Sequence, residues 1–355
     1  MKKITIIGGG NGGHAAAADL TVKGFEVTMY EDANFIAHMQ SVYETRKIRY
    51  KGAIGTGEVE IAKVTTDMEE AVKGAECILV MVPAYVHTKT ANKIAQYVES
   101  GQYLFVLPGT FGSLTFHNEL KALGKDNIVG ETHTLPYATR LLGDGEIMVM
   151  SRFNPLKFGA IPAKETEKAC KVISELFDGI ESVESVIACG LSSLNPIIHV
   201  PGCILNAGRI EYAGQPFYYY TEGFSDCVVR ATVQLDGERR AILEEMGYES
   251  DIVAHGINPN EDDLKTAVAG DPSFAKIAVP PTFKYRYYTE DIPYGIAVWA
   301  KLAEQIGVDV PVMKAMVTMG SCIMDTDCWK NGRSLEELGI QGMDKETLKE
   351  YLING

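Results

Sequence analysis

A histidine stands between two prolines in the stretch LSSLNPIIHVPGCILNAGRIEYA, which begins at Leu191 and places Pro196, His199 and Pro201 on an otherwise apolar run. Imidazole titrates near neutrality, so such a side chain is either a hydrogen-bonded core residue or a carrier of protons. Nothing inside the stretch separates the two readings. Asn195 lies four residues before His199 and would share its helical face. Asn195 followed by Pro196 also fits a helix start, with Asn as N-cap and Pro at the first helical position, although a start nearer Ser192 is open. Pro201 cannot donate to the Ile197 carbonyl and is expected to kink the helix just beyond His199.

A carboxylate that could orient this imidazole occurs in KYRYYTEDIPYGIAVW, residues 284 to 299. Asp291 precedes Ile292-Pro293 and a helical run, so on local grounds it is a helix N-cap. If its helix points at His199, it would instead fix the tautomer and stabilise the imidazolium during proton transfer. Arg286 stands five residues earlier among Tyr285, Tyr287 and Tyr288, and is either a bridge to an anion or a cation stacked on tyrosines.

A second chemistry belongs to the N-terminus, KKITIIGGGNGGHAAAADLTVKGFEVTMYED. Ile4 to Ile7 form a short run suited to a buried parallel strand, and glycines follow at once. In the GxGxxG register they are Gly8, Gly10 and Gly13, with Asn11 and Gly12 inside the same loop. Gly8 permits the tight turn, Gly10 admits a pyrophosphate, and Gly13 lets the following helix lie close to the strand. The strand FEVTMYE ends in Glu31, where a carboxylate can accept from the ribose hydroxyls of NAD and would repel the extra phosphate of NADP; Asp32 competes for that role.

These groups need a scaffold. ECILVMVPA and QYLFVLPGTFGS read as further buried strands with helical segments between, which is an α/β pattern: a Rossmann-type, doubly wound parallel sheet binding its ligand at the strand carboxyl ends. The loops after them, including Pro83 and Pro108-Gly109, are expected to border the nicotinamide. GETHTLPYATR closes another strand and supplies Thr134, Tyr137, Thr139 and Arg140 at the same edge, as substrate contacts or as ordinary loop residues. From about residue 188 strands give way to helical periodicity over Leu194 to Ala213, Asp226 to Met246, Ile292 to Ile306 and Val312 to Met324. The domains are therefore read as 1–187, nucleotide-binding, and 188–355, all-helical and carrying the substrate chemistry, with a cleft between them.

Composition narrows the field of partners. At 355 residues and a formal charge of -14, the chain is large enough for two cores and unsuited to a nucleic-acid or anionic-membrane surface. The cysteines Cys77, Cys170, Cys189, Cys203, Cys227, Cys322 and Cys328 are odd in number and form no CxxC pair, so neither disulfide framework nor metal site is read, and they look like buried, reduced thiols. No run of about 20 apolar residues is apparent, and a cytoplasmic location is expected. Exposed helices of the second domain could pair as a homodimer.

Taken together, SSLNPIIHVPGCILNAGR, PFYYYTEG, KYRYYTEDIPYG and DTDCWKNGRSLEELGIQGM resemble the octopine/nopaline (opine) dehydrogenase family, over essentially the whole chain. The resemblance implies reductive joining of an amino acid to a 2-oxo acid through an imine reduced by NAD(P)H. It makes His199 the catalytic acid/base, Asp291 its partner, Asn195 a holder of the oxo acid, and Arg286 the arginine that reaches the cofactor pyrophosphate. Thr134 to Pro136 match the family's amino-acid contacts, while Thr139 stands where relatives often carry Cys. Two carboxylate substrates also call for cationic anchors, for which Arg140, Arg209 and Arg286 are candidates. Two other readings fit the same plan: a reductase of simple 2-oxo or 3-oxo acids needing no amine, and an NAD-binding sensor without catalysis.

Overall fold

The computed structural model describes residues 2–212, 217–250, 264–265, 275, 277–279 and 282–355. It divides into two compact units, one of residues 1–190 and 350–355 and the other of residues 191–349. The second domain was expected to run to the C-terminus; instead the end of the last helix, Lys345–Asn354, packs with the first unit, where the Tyr351 hydroxyl donates to Asn118 Oδ1 at 2.8 Å.

In chain order the strands of the first unit are β1 (Lys3–Ile7), β2 (Glu26–Tyr30), β3 (Lys47–Gly52), β4 (Gly57–Glu60), β5 (Lys63–Thr65) and β6 (Cys77–Val80). They continue with β7 (Tyr103–Val106), β8 (Val129–Thr132), β9 (Tyr137–Gly143), β10 (Glu146–Arg152), β11 (Leu156–Ile161) and β12 (Ile180–Ser182). Eight of them form one sheet in the order β12-β11-β8-β7-β6-β1-β2-β5, parallel except where β11 runs against β8. Ile4, Ile6 and Ile7 of β1 are at most 1% exposed, because strands between crossover helices are covered on both faces. Burying each such side chain stabilises the unit by about 1.5–3 kcal/mol.

The first helix, α1 (Asn11–Val22), is polar on no broad face; Ala15 to Ala18 are all fully buried. A second sheet, β4-β3-β10-β9, explains this, since α1 lies against β9, β10, β3 and β4 as well as against β1 and β2. A helix covered all round must be apolar all round. Its one buried charge, Asp19, is clamped to the second sheet by both Arg152 guanidinium nitrogens at 2.7 Å and by the Tyr137 hydroxyl at 2.7 Å. Tyr137 is thus a structural tie and not part of a substrate edge.

Among its described residues, the second unit is helical apart from a two-residue ladder between Phe217–Tyr218 and Ala278–Val279. Asp226–Met246 forms as its periodicity predicts and ends in Gly247 at φ 70°, a left-handed cap that glycine adopts without strain. The helix expected to reach Ala213 is Leu194–Leu205 followed by Ala207–Tyr212; Ala213 lies outside the described residues, as does Pro216 of PFYYYTEG. Val186–Leu205 is long and apolar enough to cross a membrane, contrary to the expectation from sequence, but it is 78% buried within the protein and serves as core. The cysteines are free; Cys227 and Cys322 prove exposed, the others buried or partly so.

Candidate active site

The helix Leu194–Leu205 begins one residue before Asn195, with Ser193 as N-cap, and runs through Pro201 without stopping. His199 sits in its middle, 5% exposed. The Tyr219 hydroxyl lies 2.8 Å from the Ile198 carbonyl and 2.7 Å from that of His199, and so supports the helix at the turn where Pro201 lacks an N–H. Gly202 makes this approach possible, because a Cβ there would fall 2.0 Å from the Tyr219 oxygen.

Asp291 does not act as a helix cap. It opens a π-helical turn, Asp291–Ile296, and its Oδ2 accepts a hydrogen bond from His199 Nδ1 at 2.7 Å. A carboxylate can only accept, so the Nδ1–H tautomer is fixed and Nε2 carries the lone pair. The Tyr220 hydroxyl donates to that Nε2 at 3.2 Å, and the Tyr287 ring lies over the imidazole, 3.6 Å between centroids and 19° from parallel. Burial lowers the His199 pKa below 6.5, against the opposing pull of Asp291 and with a smaller downward push from Arg286. The imidazole is therefore neutral at pH 7, a base ready to take a proton.

Arg286, the first residue of the short helix Arg286–Thr289, is exposed, and its tyrosine neighbours do not stack beneath it. Tyr287 covers His199, Tyr288 donates to the Cys203 carbonyl at 2.7 Å, and Tyr285 packs edge-on against Tyr287. Asn195 is partly buried on the His199 helix. Arg209, proposed as an anchor, pairs with Glu222 at 3.3 Å and lies over the Phe217 ring, so its charge is already answered at the surface.

In the first unit the glycine loop has the shape its spacing predicts. Gly8 has φ 115°, and a Cβ on Gly13 would lie 1.8 Å from the Gly8 carbonyl oxygen, whereas one on Gly10 would meet only open space. No side chain caps the start of α1 and no acid lies in its first turn, so its leading N–H groups are left for an anion. Glu31 Oε2 accepts from the Gly9 N–H at 2.8 Å and Oε1 from the Asp32 N–H at 2.8 Å, which holds the carboxylate beside the loop with a lone pair left on each oxygen. Asp32 turns away to Lys93 at 2.8 Å, a bond that pulls its pKa down to about 2. His38, which carries no sequence signal, holds the other backbone group of the same residue by donating from Nε2 to the Gly9 carbonyl at 2.9 Å.

Around this loop, Val82, next to Pro83, faces Gly8, and Leu135, next to Thr134, faces Gly12. Asn11 is partly committed elsewhere, its Oδ1 accepting from the Leu141 N–H at 2.6 Å. Thr139 and Arg140 were expected beside Thr134 at the strand edge; both lie on β9 in the second sheet instead. The Thr139 hydroxyl donates to the Met148 carbonyl at 2.8 Å and Arg140 is exposed. The misplacement comes from reading TLPYATR as the end of one strand when β8 stops at Thr132 and β9 starts at Tyr137.

A doubly wound sheet with an open glycine loop and a terminal acid, joined to a helical unit holding a buried His–Asp pair, defines a two-domain nicotinamide-nucleotide-dependent dehydrogenase. Residues 182–324 match the family described as NAD/NADP octopine/nopaline dehydrogenase, alpha-helical domain, and residues 3–109 that described as NAD-dependent glycerol-3-phosphate dehydrogenase N-terminus. The opine dehydrogenase of Arthrobacter sp. (strain 1C) is 32% identical over 351 residues, 96% of each chain. The protein belongs to the opine dehydrogenase family and is an NAD(P)-dependent oxidoreductase acting on CH–NH groups. Solved structures share the fold: octopine dehydrogenase with NADH and pyruvate at TM-score 0.78 (19% identity, 96% of each chain), and yersinopine dehydrogenase with NADP+ bound at 0.76 (15% identity, 99% of this chain and 98% of that one).

Proposed function

We propose that this enzyme condenses the amine of an amino acid with the keto carbon of a 2-oxo acid such as pyruvate and reduces the resulting imine to a secondary amine dicarboxylate. The observation that carries the reading is the 2.7 Å bond from His199 Nδ1 to Asp291, which leaves Nε2 as a lone-pair base on a neutral, buried imidazole. His199 takes a proton from the substrate ammonium, freeing the amine to attack the keto carbon. It then returns that proton to the hydroxyl of the carbinolamine, which leaves as water and yields the protonated imine. Asp291 stabilises the imidazolium that exists between the two transfers. Bound NADH supplies the hydride that completes the reduction. Asn195, on the face of His199, and Thr134 are assigned to the substrates, and Arg286, exposed and cationic, to the cofactor pyrophosphate. The free cysteines accord with a reducing, cytoplasmic setting.

The test is NADH oxidation with a panel of 2-oxo acids against the common amino acids, with the product mass measured. Turnover is expected only when both substrates are present, with a product equal to their sum less one oxygen. Equal rates with the oxo acid alone would replace this reading with that of a simple oxo-acid reductase.

The cofactor reading is NAD in preference to NADP, because Glu31 and not Asp32 faces the glycine loop and a carboxylate there repels a ribose phosphate. Glu31→Ala should raise the KM for NADH roughly ten- to a hundredfold, since hydrogen bonds to a charged group are worth about 1.5–3 kcal/mol, while NADPH gains relative to NADH. Unchanged KM values for both cofactors would remove Glu31 from the site.

A further inference from the structure

His199 has two ring nitrogens, and only one is explained by the pair with Asp291. We propose that Tyr220 is a positioning residue for the reaction: its hydroxyl, donating to His199 Nε2 at 3.2 Å, engages the lone pair of the tautomer that Asp291 fixes and keeps that nitrogen aligned until substrate takes its place. The proposal rests on the reading of His199 as the proton carrier.

The neighbouring tyrosines show what a merely structural role looks like here. Tyr219 and Tyr288 also bury their rings, and both direct their hydroxyls to backbone carbonyls, those of Ile198 and His199 in one case and of Cys203 in the other. Tyr220 bonds the side-chain nitrogen of the titrating group instead. Burial raises the Tyr220 pKa, so it stays a protonated donor at any working pH. The hydrogens thus run in one direction, from Tyr220 to His199 Nε2 and from Nδ1–H to Asp291. Such a chain favours the neutral imidazole with its lone pair on Nε2.

Both partners of the imidazole come from π-helical turns, Tyr219–Gly223 and Asp291–Ile296. These wide turns, uncommon except as local insertions at functional sites, let the consecutive residues Tyr219 and Tyr220 both reach the His199 helix, their rings 87° apart. The charged groups acting on the ring are Asp291 and Arg286; the remaining groups facing it, Tyr219, Tyr220 and Tyr287, are neutral phenols, each with its pKa raised.

The experiment is Tyr220→Phe, which keeps the ring and removes the donor. Turnover should fall five- to fiftyfold with KM for NADH and both substrates within about threefold. The acid limb of the kcat/KM profile should move to higher pH, because the variant loses a contact made only to the neutral imidazole. Nitrogen-15 shifts of His199 should show Nδ1 protonated in both proteins, with the lone-pair Nε2 shifted upfield by its hydrogen bond in the wild type and moved toward the value of a free lone-pair nitrogen in Tyr220→Phe. In a His199→Gln background, Tyr220→Phe should cost nothing further. Wild-type kcat and pH limb in Tyr220→Phe, a change in KM alone, or a wild-type Nε2 shift equal to that of a free lone-pair nitrogen would each overturn the proposal. If Tyr220→Phe fails to fold, the wild-type Nε2 shift decides. Full turnover by His199→Gln would sink the reading of His199 itself, whereas the nitrogen-15 measurement tests the Tyr220 contact independently.

Discussion

His199→Ala is expected to reduce turnover about a hundredfold or more while the affinity for NADH, measured by fluorescence titration, stays within a few fold. The size follows from what is lost: proton transfer by a positioned side chain contributes roughly two to four powers of ten, and the glycine loop that holds the nucleotide lies in the other unit of the chain. Alanine also empties the space beneath the Tyr287 ring and leaves Asp291 without its donor, so some stability is lost as well. His199→Gln is the companion variant, since it fills more of the space and can still donate to Asp291. It should fold as well as wild type and remain slow. Loss of NADH binding in step with loss of folding, in both variants, would show that the imidazole is a core residue and nothing more.

The pH dependence of the wild type follows from the same burial. The His199 pKa lies below 6.5, so the base is fully available at pH 7 and above, and protonation removes it only as the pH falls beneath that value. In the condensing direction the His199-dependent limb of kcat/KM should therefore lie on the acid side of 6.5. A limb between 7 and 8 belonging to His199 would contradict the desolvation that dominates its environment.

The parts of the molecule legible in the sequence were those set by local pattern. The run Ile4 to Ile7, the glycine spacing and the acid at Glu31 each have a steric or electrostatic reason that survives without tertiary context, and the loop geometry follows them closely. The helix Asp226–Met246 has the bounds that its periodicity predicts. Asp291 shows the limit. Its local signature is that of an N-cap, and only packing of the π-helical turn against the helix Leu194–Leu205 turns its carboxylate to a histidine 92 residues away. Tyr220 was invisible for the same reason: in a run of three tyrosines nothing local says which hydroxyl meets the imidazole. The second sheet is hard to read because β3, β9 and β10 are mixed in polarity and β3 meets β10 across nearly a hundred residues, so Thr139 and Arg140 read as part of the wrong edge. Alternation in KIRYKG and EIMVMSR, with the Gly-Asp-Gly turn at residues 143–145, was the signal available for it.

Asp291→Asn is the second variant with a large expected effect, and it separates orientation from mere proximity. Asparagine has nearly the same shape, but it can turn either its carbonyl oxygen or its amide nitrogen to Nδ1. With the nitrogen inward, the ring must place its proton on Nε2, where the reaction needs a lone pair. With the oxygen inward, the tautomer is kept but the charge that steadies the imidazolium is gone, a loss of about 1.5–3 kcal/mol for a hydrogen bond to a charged group. At 1.36 kcal/mol per tenfold, that alone slows the reaction roughly ten- to a hundredfold, and the wrong tautomer slows it further. Asp291 raises the pKa of His199 against the effect of burial, so its removal should carry the acid limb further below 6.5 as kcat falls. Asp291→Ala should move the limb the same way. A residue that served only to start a helix would change stability, read as Tm, and leave the limb where it was; that result would dissolve the His199–Asp291 pair as a catalytic unit.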